Sequence, residues 1–313
     1  MPGVVTSPFG TLAVIADPAD GDGRVAAELP ALERALGDRD LDYRLTLADP
    51  KRGVGLLASA ALDDGARFVV AVGSDATVQD VVNGMFRDGR PIVDEAVLGV
   101  VAANTGNQLV RSFGLPGDTE GGVRRLAGAD TYPFDVMKVT CAGPDGPVTR
   151  YATNLAMMGL AARVELRRQR MPRWLGERGR AFASFWRGYV GAHRQHVSIA
   201  YDTKRWDGDT FQIIVGNAQY GPDGLRLSPR SWPGDGVLDA LVFTGQKSDA
   251  YTMMPRIMRH GDHIPDPSIH ELRAKIRFAV DAERPMTVVA DGREFGTTPA
   301  TFQVVAHQLL FKL

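Results

Sequence analysis

Cysteine is nearly missing: Cys141 is the one example in 313 residues. A single thiol excludes an intrachain disulfide and any Cys-rich zinc site, and it agrees with a reducing compartment. An excess of one charge is missing too. The formal net charge of -1 removes any case for whole-molecule attraction to nucleic acid. No apolar run reaches the roughly 18 residues a membrane-spanning helix requires. The chain does not open with a basic segment followed by an apolar one, as a secretory leader would. Together these absences predict a cytoplasmic protein with no transmembrane segment, meeting a membrane only peripherally, with no nucleic-acid partner. Internal repeats and low-complexity linkers are lacking, and the histidine spacings fit no strong metal-ligand signature.

What is present changes character along the chain. In the first 135 residues, short apolar strands alternate with amphipathic helices. TLAVIA (11–16), FVVAV (68–72) and VLGVVAA (97–103) are each followed by apolar residues at helical spacing, as in Val78, Val81, Val82 and Met85. The pattern predicts an N-terminal α/β domain, 1–135, built on a doubly wound parallel sheet. After about residue 136, stretches such as HVSIAYD, TFQIIVGNAQ, LDALVFTG and KIRFAVD alternate with period two. They predict a β-rich, antiparallel, sandwich-like domain over 136–301. Residues 163–196 depart from that pattern: they read as helical and carry nine arginines against Glu165 and Glu177, interleaved with Trp174, Phe182, Phe185, Trp186 and Tyr189. Two readings stay open there. The segment is either a surface for anionic membrane headgroups or an ordinary amphipathic helix with aromatics inward and arginines in water.

Three turns of the first half share one design, a strand end, a loop rich in Gly, Asp, Asn or Thr, and a helix start: ADPADGDGR (16–24), GSDAT (73–77) and NTGNQ (104–108). Free N–H groups and the positive end of a helix dipole make each a candidate anion site. In a parallel sheet all three fall at the edge where ligands bind. The alternative for each turn is a plain connection with a capping residue, Thr77 being placed for that with Asp80 three residues on. Asp75 is the informative residue. A carboxylate within a phosphate loop repels phosphate unless it holds a metal ion, accepts a proton or orients water.

VVAVGSDATVQDVVNGMF and LGVVAANTGNQLVRSFGLP resemble the GGDGT-type and GTGND-type segments of the diacylglycerol kinase catalytic-domain family, in the bacterial lipid kinase branch related to sphingosine kinases. FDVMKV (134–139), GLRLSPRSWPGDGVLDALVF (224–243) and VVADGREFGTTPATFQVV (288–305) resemble further segments of that family in the same order. The resemblance implies an ATP-binding first domain to which a final segment, about 302–313, returns, and a second domain that takes the lipid substrate. It implies nucleotide contacts at Thr46, Gly73, Ser74, Asp75, Ala76, Thr77, Val78, Gln79, Thr105, Gly106 and Asn107, with Arg111 on phosphate. Asp75, Asp135, Asp291 and Glu294 would form the catalytic acids. Asp235, with the carbonyls of Trp232 and Val237, would hold Mg2+, which prefers hard oxygen ligands.

The chain departs from the family pattern at several of these positions. Ser74 replaces a glycine, and so does Ala76, which would cost about 1 to 2 kcal/mol if its position needs positive φ. Gln108 is a neutral amide where the family has an acid. The closing motif reads Asp291-Gly292-Arg293-Glu294; an ungapped alignment puts Arg293, which cannot act as a base, at the acidic position, while a one-residue bulge would put Glu294 there. The expected function is therefore ATP-dependent phosphorylation of a diacylglycerol-like lipid alcohol. The alternatives are a catalytically inactive nucleotide- or lipid-binding homologue with a regulatory role, and a kinase for a soluble acceptor. The sequence leaves the oligomeric state open, a homodimer included.

Overall fold

A computed structural model describes residues 7–49, 51–246, 248–249, 261–264 and 266–313, without the side chains of Arg173, Glu177 and Arg178. Two compact units emerge: Met1–Val136 with Val305–Leu313, and Met137–Val304.

The first unit runs β1 (Leu12–Ala16), α1 (Asp20–Gly37), β2 (Tyr43–Leu47), α2 (Val54–Asp63), β3 (Phe68–Val72) and α3 (Asp75–Met85). A short hairpin of β4 (Phe86–Arg87) and β5 (Arg90–Pro91) follows, then β6 (Ala96–Val101), α4 (Gln108–Ser112), α5 (Thr119–Leu126) and the start of β7 (Thr131–Gly143). Its sheet is parallel, in the order β2, β1, β3, β6, with Leu309–Phe311 of the final strand beside β6. Alternation along the strands divides their side chains between two faces. Leu12, Val14, Phe68 and Val70 pack with Val25, Leu32 and Leu36 of α1 and with Val123 and Leu126 of α5. The intervening Ile15, Val69, Ala71 and Val100 are buried as well, so both faces are covered. This is why FVVAV reads as one continuous apolar run. Each such fully buried side chain contributes about 1.5 to 3 kcal/mol. The pair α2 and α3 approaches closely at two glycines: a Cβ on Gly84 would lie 2.0 Å from the Gly55 carbonyl oxygen.

The second unit continues β7 and adds β8 (Gly146–Ala152), β9 (Leu155–Gly159), α6 (Leu160–Gln169), α7 (Gly176–Gly191), β10 (Gln195–Tyr201), β11 (Lys204–Thr210), β12 (Gln212–Gly216), β13 (Leu238–Phe243), β14 (Ile269–Ala274), β15 (Arg277–Ala282), β16 (Thr287–Ala290) and β17 (Arg293–Lys312). Its pairing is antiparallel, in the order β14, β13, β12, β9, β16, β17, with β15, β10 and β11 continuing from β17. Ala156, Met158, Ile213, Val215 and Val242 on one face pack against Val197, Ile199, Phe278, Val280 and Phe302, which is sandwich packing. On the other face Leu155, Met157, Ile214 and Phe243 pack with Leu160 and Ala162 of α6.

The basic segment 163–196 is largely helical, as its sequence predicts, and α7 follows the ordinary amphipathic reading only in part. Small residues face inward: Ser184 is fully buried, and a Cβ on Gly188 would meet Val164 of α6 at 2.7 Å. Phe185 and Tyr189 are partly buried, Tyr189 against the core, whereas Phe182 is 68% exposed, Trp186 42%, Val190 71% and nearby Trp174 83%. Phe182, Trp186 and Val190 recur every four residues and so form one ridge.

Candidate functional site

The three strand-end turns of the first unit touch one another. A Cβ on Gly21 of the first turn would lie 2.8 Å from Thr105 Cγ2 of the third. Asn107 of the third donates from Nδ2 to the Gly73 carbonyl of the second at 3.3 Å. The first and second turns are joined by Asp20. Its Oδ2 accepts from the Ser74 amide at 2.7 Å and the Thr77 hydroxyl at 2.5 Å, and its Oδ1 from the Ser74 hydroxyl at 2.8 Å and the Gly21 amide at 2.7 Å. The chain thus places one of its own carboxylates at the N-terminus of α3, where a phosphate would be favoured. Gly73, at φ 144, makes room for it, since a Cβ there would sit 2.4 Å from Asp20 Oδ2.

Asp75 serves the neighbouring turn in the same way. Its carboxylate accepts from the Gln108 amide at 2.8 Å and the Leu109 amide at 3.2 Å, capping α4 together with Asn107, whose Oδ1 accepts from Val110. A cap of this kind is worth about 1 kcal/mol. Thr77 is not a cap: it lies inside α3, whose N-cap is Ser74. Ala76 lies in the first helical turn and does not carry positive φ, so the backbone cost envisaged for it does not arise. Val78 and Gln79 are buried in α3. Thr105 turns its hydroxyl back to the Ala102 carbonyl at 2.6 Å, Gly106 accepts from the Gln108 side chain, Arg111 is exposed in the last turn of α4, and Thr46 is paired with Ile15. Asp135 is fully buried. Its Oδ1 accepts from the His307 amide at 3.0 Å and lies 3.5 Å from His307 Nε2, a partner that sequence reasoning did not identify.

In the second unit, Asp291 and Gly292 link β16 to β17 with φ 44 and 79, a two-residue hairpin that demands positive φ at both positions. Asp291 is nearly buried. It accepts from the Thr153 amide and hydroxyl at 2.5 and 3.0 Å, the Asn154 amide at 3.0 Å and the Leu155 amide at 3.1 Å. Burial pushes its carboxyl above the ordinary value, against the pull of those Thr153, Leu155 and Asn154 donors. A carboxylate has about four acceptor positions, and here four donors use them. Arg293 pairs with Ala290 and Glu294 with Val289. The strand irregularity comes after Glu294, where Val288 pairs with Gly296. The bulge therefore does not slide Glu294 into the place of Arg293, and the two exposed side chains point to opposite faces.

The Gly292 carbonyl accepts from Gln169 Nε2 at 2.6 Å, and the same nitrogen donates to Glu165 Oε1 at 3.0 Å. Glu165 is 8% exposed and stands at the edge of a mostly apolar cavity of about 140 Å3 beneath α6 and α7, lined among others by Met157, Val164, Phe185, Phe211 and Phe243. Arg168 closes one side of it, 2.7 Å from Asp223 and 3.8 Å from Glu165. Sequence reasoning missed Glu165 as a site residue, since one acid among nine arginines reads as surface.

The turn expected to hold a divalent ion is occupied by internal partners. Asp235 Oδ1 accepts from the Val237 amide at 3.0 Å, and Oδ2 lies 3.4 Å from Arg273. The Trp232 carbonyl accepts from Gly234 at 2.9 Å. Arg273, whose Nε bonds Asp239 Oδ1 at 2.7 Å, thus shares the Asp235 carboxylate that a cation would use. No group of three or more His, Cys, Asp or Glu side chains with metal-binding geometry occurs among the described residues.

Comparison with known proteins agrees with this architecture. Residues 11–139 match the diacylglycerol kinase catalytic domain, and residues 155–311 match the YegS C-terminal NAD kinase beta sandwich-like domain. A diacylglycerol kinase of Bacillus subtilis is 25% identical over 245 residues, 75% of this chain and 74% of that protein. A protein of Cronobacter sakazakii described as a YegS-like lipid kinase is 25% identical over 193 residues, 60% of each chain. A solved structure from Bacillus anthracis described as a diacylglycerol kinase shares the fold, with TM-score 0.75, 19% identity and 98% of both chains covered. With a parallel-sheet unit, a sandwich-like unit and both family matches in sequence order, the chain belongs to the diacylglycerol kinase catalytic-domain family, with a YegS-type C-terminal domain.

Proposed function

We propose that the protein is an ATP-dependent lipid kinase acting on a diacylglycerol-like alcohol, cytoplasmic and bound peripherally to membranes. The observation that carries the lipid half of this reading is the apolar cavity under α6 and α7, whose edge holds Glu165 and leads through Gln169 to the Asp291–Gly292 turn. An acyl chain in that cavity would leave the polar end of the lipid beside the turn. The outward ridge of α7 supports membrane contact through 163–196. Among the described residues no helix is long and apolar enough to cross a membrane.

On this reading the lipid hydroxyl attacks the γ-phosphorus, a new P–O bond forms, the bond to the leaving phosphate breaks, ADP departs, and the hydroxyl proton passes to a carboxylate. Asp291, its acceptor positions already used, positions the turn; the exposed Glu294 is the base candidate. Asp75 and Asp135 supply the acidic centre of the first unit, with Gly73, Ser74, Thr77, Thr105 and Arg111 toward the nucleotide. Mg2+ bound with the nucleotide would offset phosphate charge. At Asp235 such an ion would share the carboxylate with Arg273. The triphosphate must displace Asp20 from the α3 N-terminus.

The second reading, a non-catalytic homologue, is favoured by that same Asp20 contact. Labelled ATP offered with a panel of lipid alcohols in mixed micelles separates the two. Transfer of the γ-phosphate to one lipid, lost in Asp75→Asn, is the expected result. No transfer to any lipid would leave binding without turnover.

A further inference from the structure

The second unit contains a separate concavity of about 150 Å3 that no carboxylate lines. Arg163 from the first turn of α6, His193 and Arg194 from the link after α7, and Arg284 from the link after β15 surround it. Arg167 stands close by: a Cβ on Gly191 would lie 3.1 Å from Arg163 Nη1 and 3.9 Å from Arg167 Nη2. Among the described residues, none of these five side chains has an ion pair or hydrogen bond. Elsewhere this chain matches its arginines with acids, as in Arg39–Glu120, Arg87–Asp63, Arg168–Asp223 and Arg205–Asp207. With 37 acidic residues against 36 basic ones, there is no shortage of partners.

Such a gathering is unfavourable by itself. Like charges repel, and Arg163 also opposes the positive end of the α6 dipole. An anion would relieve both. Guanidinium forks match phosphate oxygens two at a time, and the space exceeds the ~10–15 Å3 that one water needs by enough for a hydrated phosphate. The ridge of Phe182, Trp186 and Val190 lies on the helix that leads directly into His193. A ligand with phosphate at one end and hydrocarbon at the other meets both features.

We propose that Arg163, Arg167, His193, Arg194 and Arg284 form a socket for the phosphate headgroup of an anionic phospholipid in a bilayer, with the α7 ridge entering the hydrocarbon beside it. This rests on the lipid reading above and extends it from the substrate to the surface on which the substrate is met.

Co-sedimentation of the full chain with vesicles tests it, using phosphatidylcholine alone or mixed with phosphatidylglycerol. Wild type is expected to favour the anionic vesicles. The double variant Arg163→Glu with Arg284→Glu should partition about tenfold less, whereas Arg205→Glu, the same change of sign on the β11 hairpin, should cost little beyond its general charge effect. The double variant should melt at or above the wild-type temperature because repulsion is relieved; a merely structural role would lower it. Trp186→Ser should weaken binding to both vesicle types. Equal binding of wild type to both vesicles, or wild-type binding by the double variant, overturns the socket. If inorganic phosphate saturates the arginines and wild type shows no preference for the anionic lipid, the ligand is a free anion and the lipid assignment is overturned. Phosphorylation of a lipid in micelles together with unchanged vesicle binding by the double variant would remove the socket alone. Socket-dependent vesicle binding without any kinase activity would remove the kinase reading alone.

Discussion

At the start of α3 the first unit directs two hydroxyls and two backbone amides at Asp20, a carboxylate of its own. Around the concavity of the second unit, three arginines and a histidine converge with no carboxylate among them. The first is an anion site already satisfied; the second awaits an anion. A ligand must compete for one and completes the other. Competition lowers apparent affinity by the population of the self-bound state, while completion relieves a repulsion present in the free protein. The same elementary attraction therefore gives opposite responses to substitution in the two units.

The largest expected effect breaks the first unit. Asp75→Asn should lower phosphoryl transfer by about 10² to 10⁴, measured with labelled ATP, because it removes a charge from the acidic centre while nearly keeping its shape. Asp20→Ser sharpens the comparison: it empties the α3 N-terminus, so nucleotide affinity by calorimetry should rise about tenfold while the melting temperature falls, as expected for losing about 1 to 3 kcal/mol of charge-assisted hydrogen bonding. An unchanged or weakened affinity would mean that Asp20 is no competitor. Gly73→Ala should destabilise the first unit by about 1 to 3 kcal/mol in denaturant unfolding, since the site holds φ 144 and leaves no room for Cβ beside Asp20.

The smallest effect belongs to the second unit. His263 is buried, donates from Nε2 to the Leu227 carbonyl at 3.2 Å, and is held by burial below its ordinary value of 6.5. The unfolded chain then takes up a proton that the folded one refuses. Stability should be flat above about pH 6.5 and fall below it, by at most about 1.4 kcal/mol per pH unit. Melting at pH 5.5 and 7.5 measures the slope, and His263→Gln should flatten it.

Much of this was legible in the residues. Continuous apolar strands separated by helical spacing announced the parallel sheet, period-two stretches announced the antiparallel unit, and the basic run was readable as helices. What was not legible depends on contacts far apart in the chain. Asp20 meets Ser74 across 54 positions and Asp291 meets Thr153 across 138, and no local pattern encodes either. Asp20 did leave a trace, an acid inside a glycine-rich turn, the same signal that made Asp75 conspicuous. The split among the α7 aromatics was hidden because aromatic size suggests a core position for all of them, whereas Ser184 and Gly188 share the inner face with Phe185 and Tyr189 by letting α6 come close, leaving Phe182 and Trp186 outside. Thr77 looked like a cap because capping residues are recognised by type and spacing, and its hydroxyl found Asp20 instead.

The hairpin at Asp291–Gly292 shapes how this motif can change. Arg293 begins a strand of 20 residues, Arg293–Lys312, whose pairing with β16 skips Phe295 between Glu294 and Gly296. Removing Arg293 would pair Glu294 with Ala290 and Phe295 with Val289, taking up that extra residue and leaving the register of Phe302, Leu309 and Phe311, all now buried, unchanged. An acid can therefore be restored beside the turn by exchanging Arg293 or by losing it, because the irregularity beyond Glu294 absorbs a missing residue without disturbing either hydrophobic core.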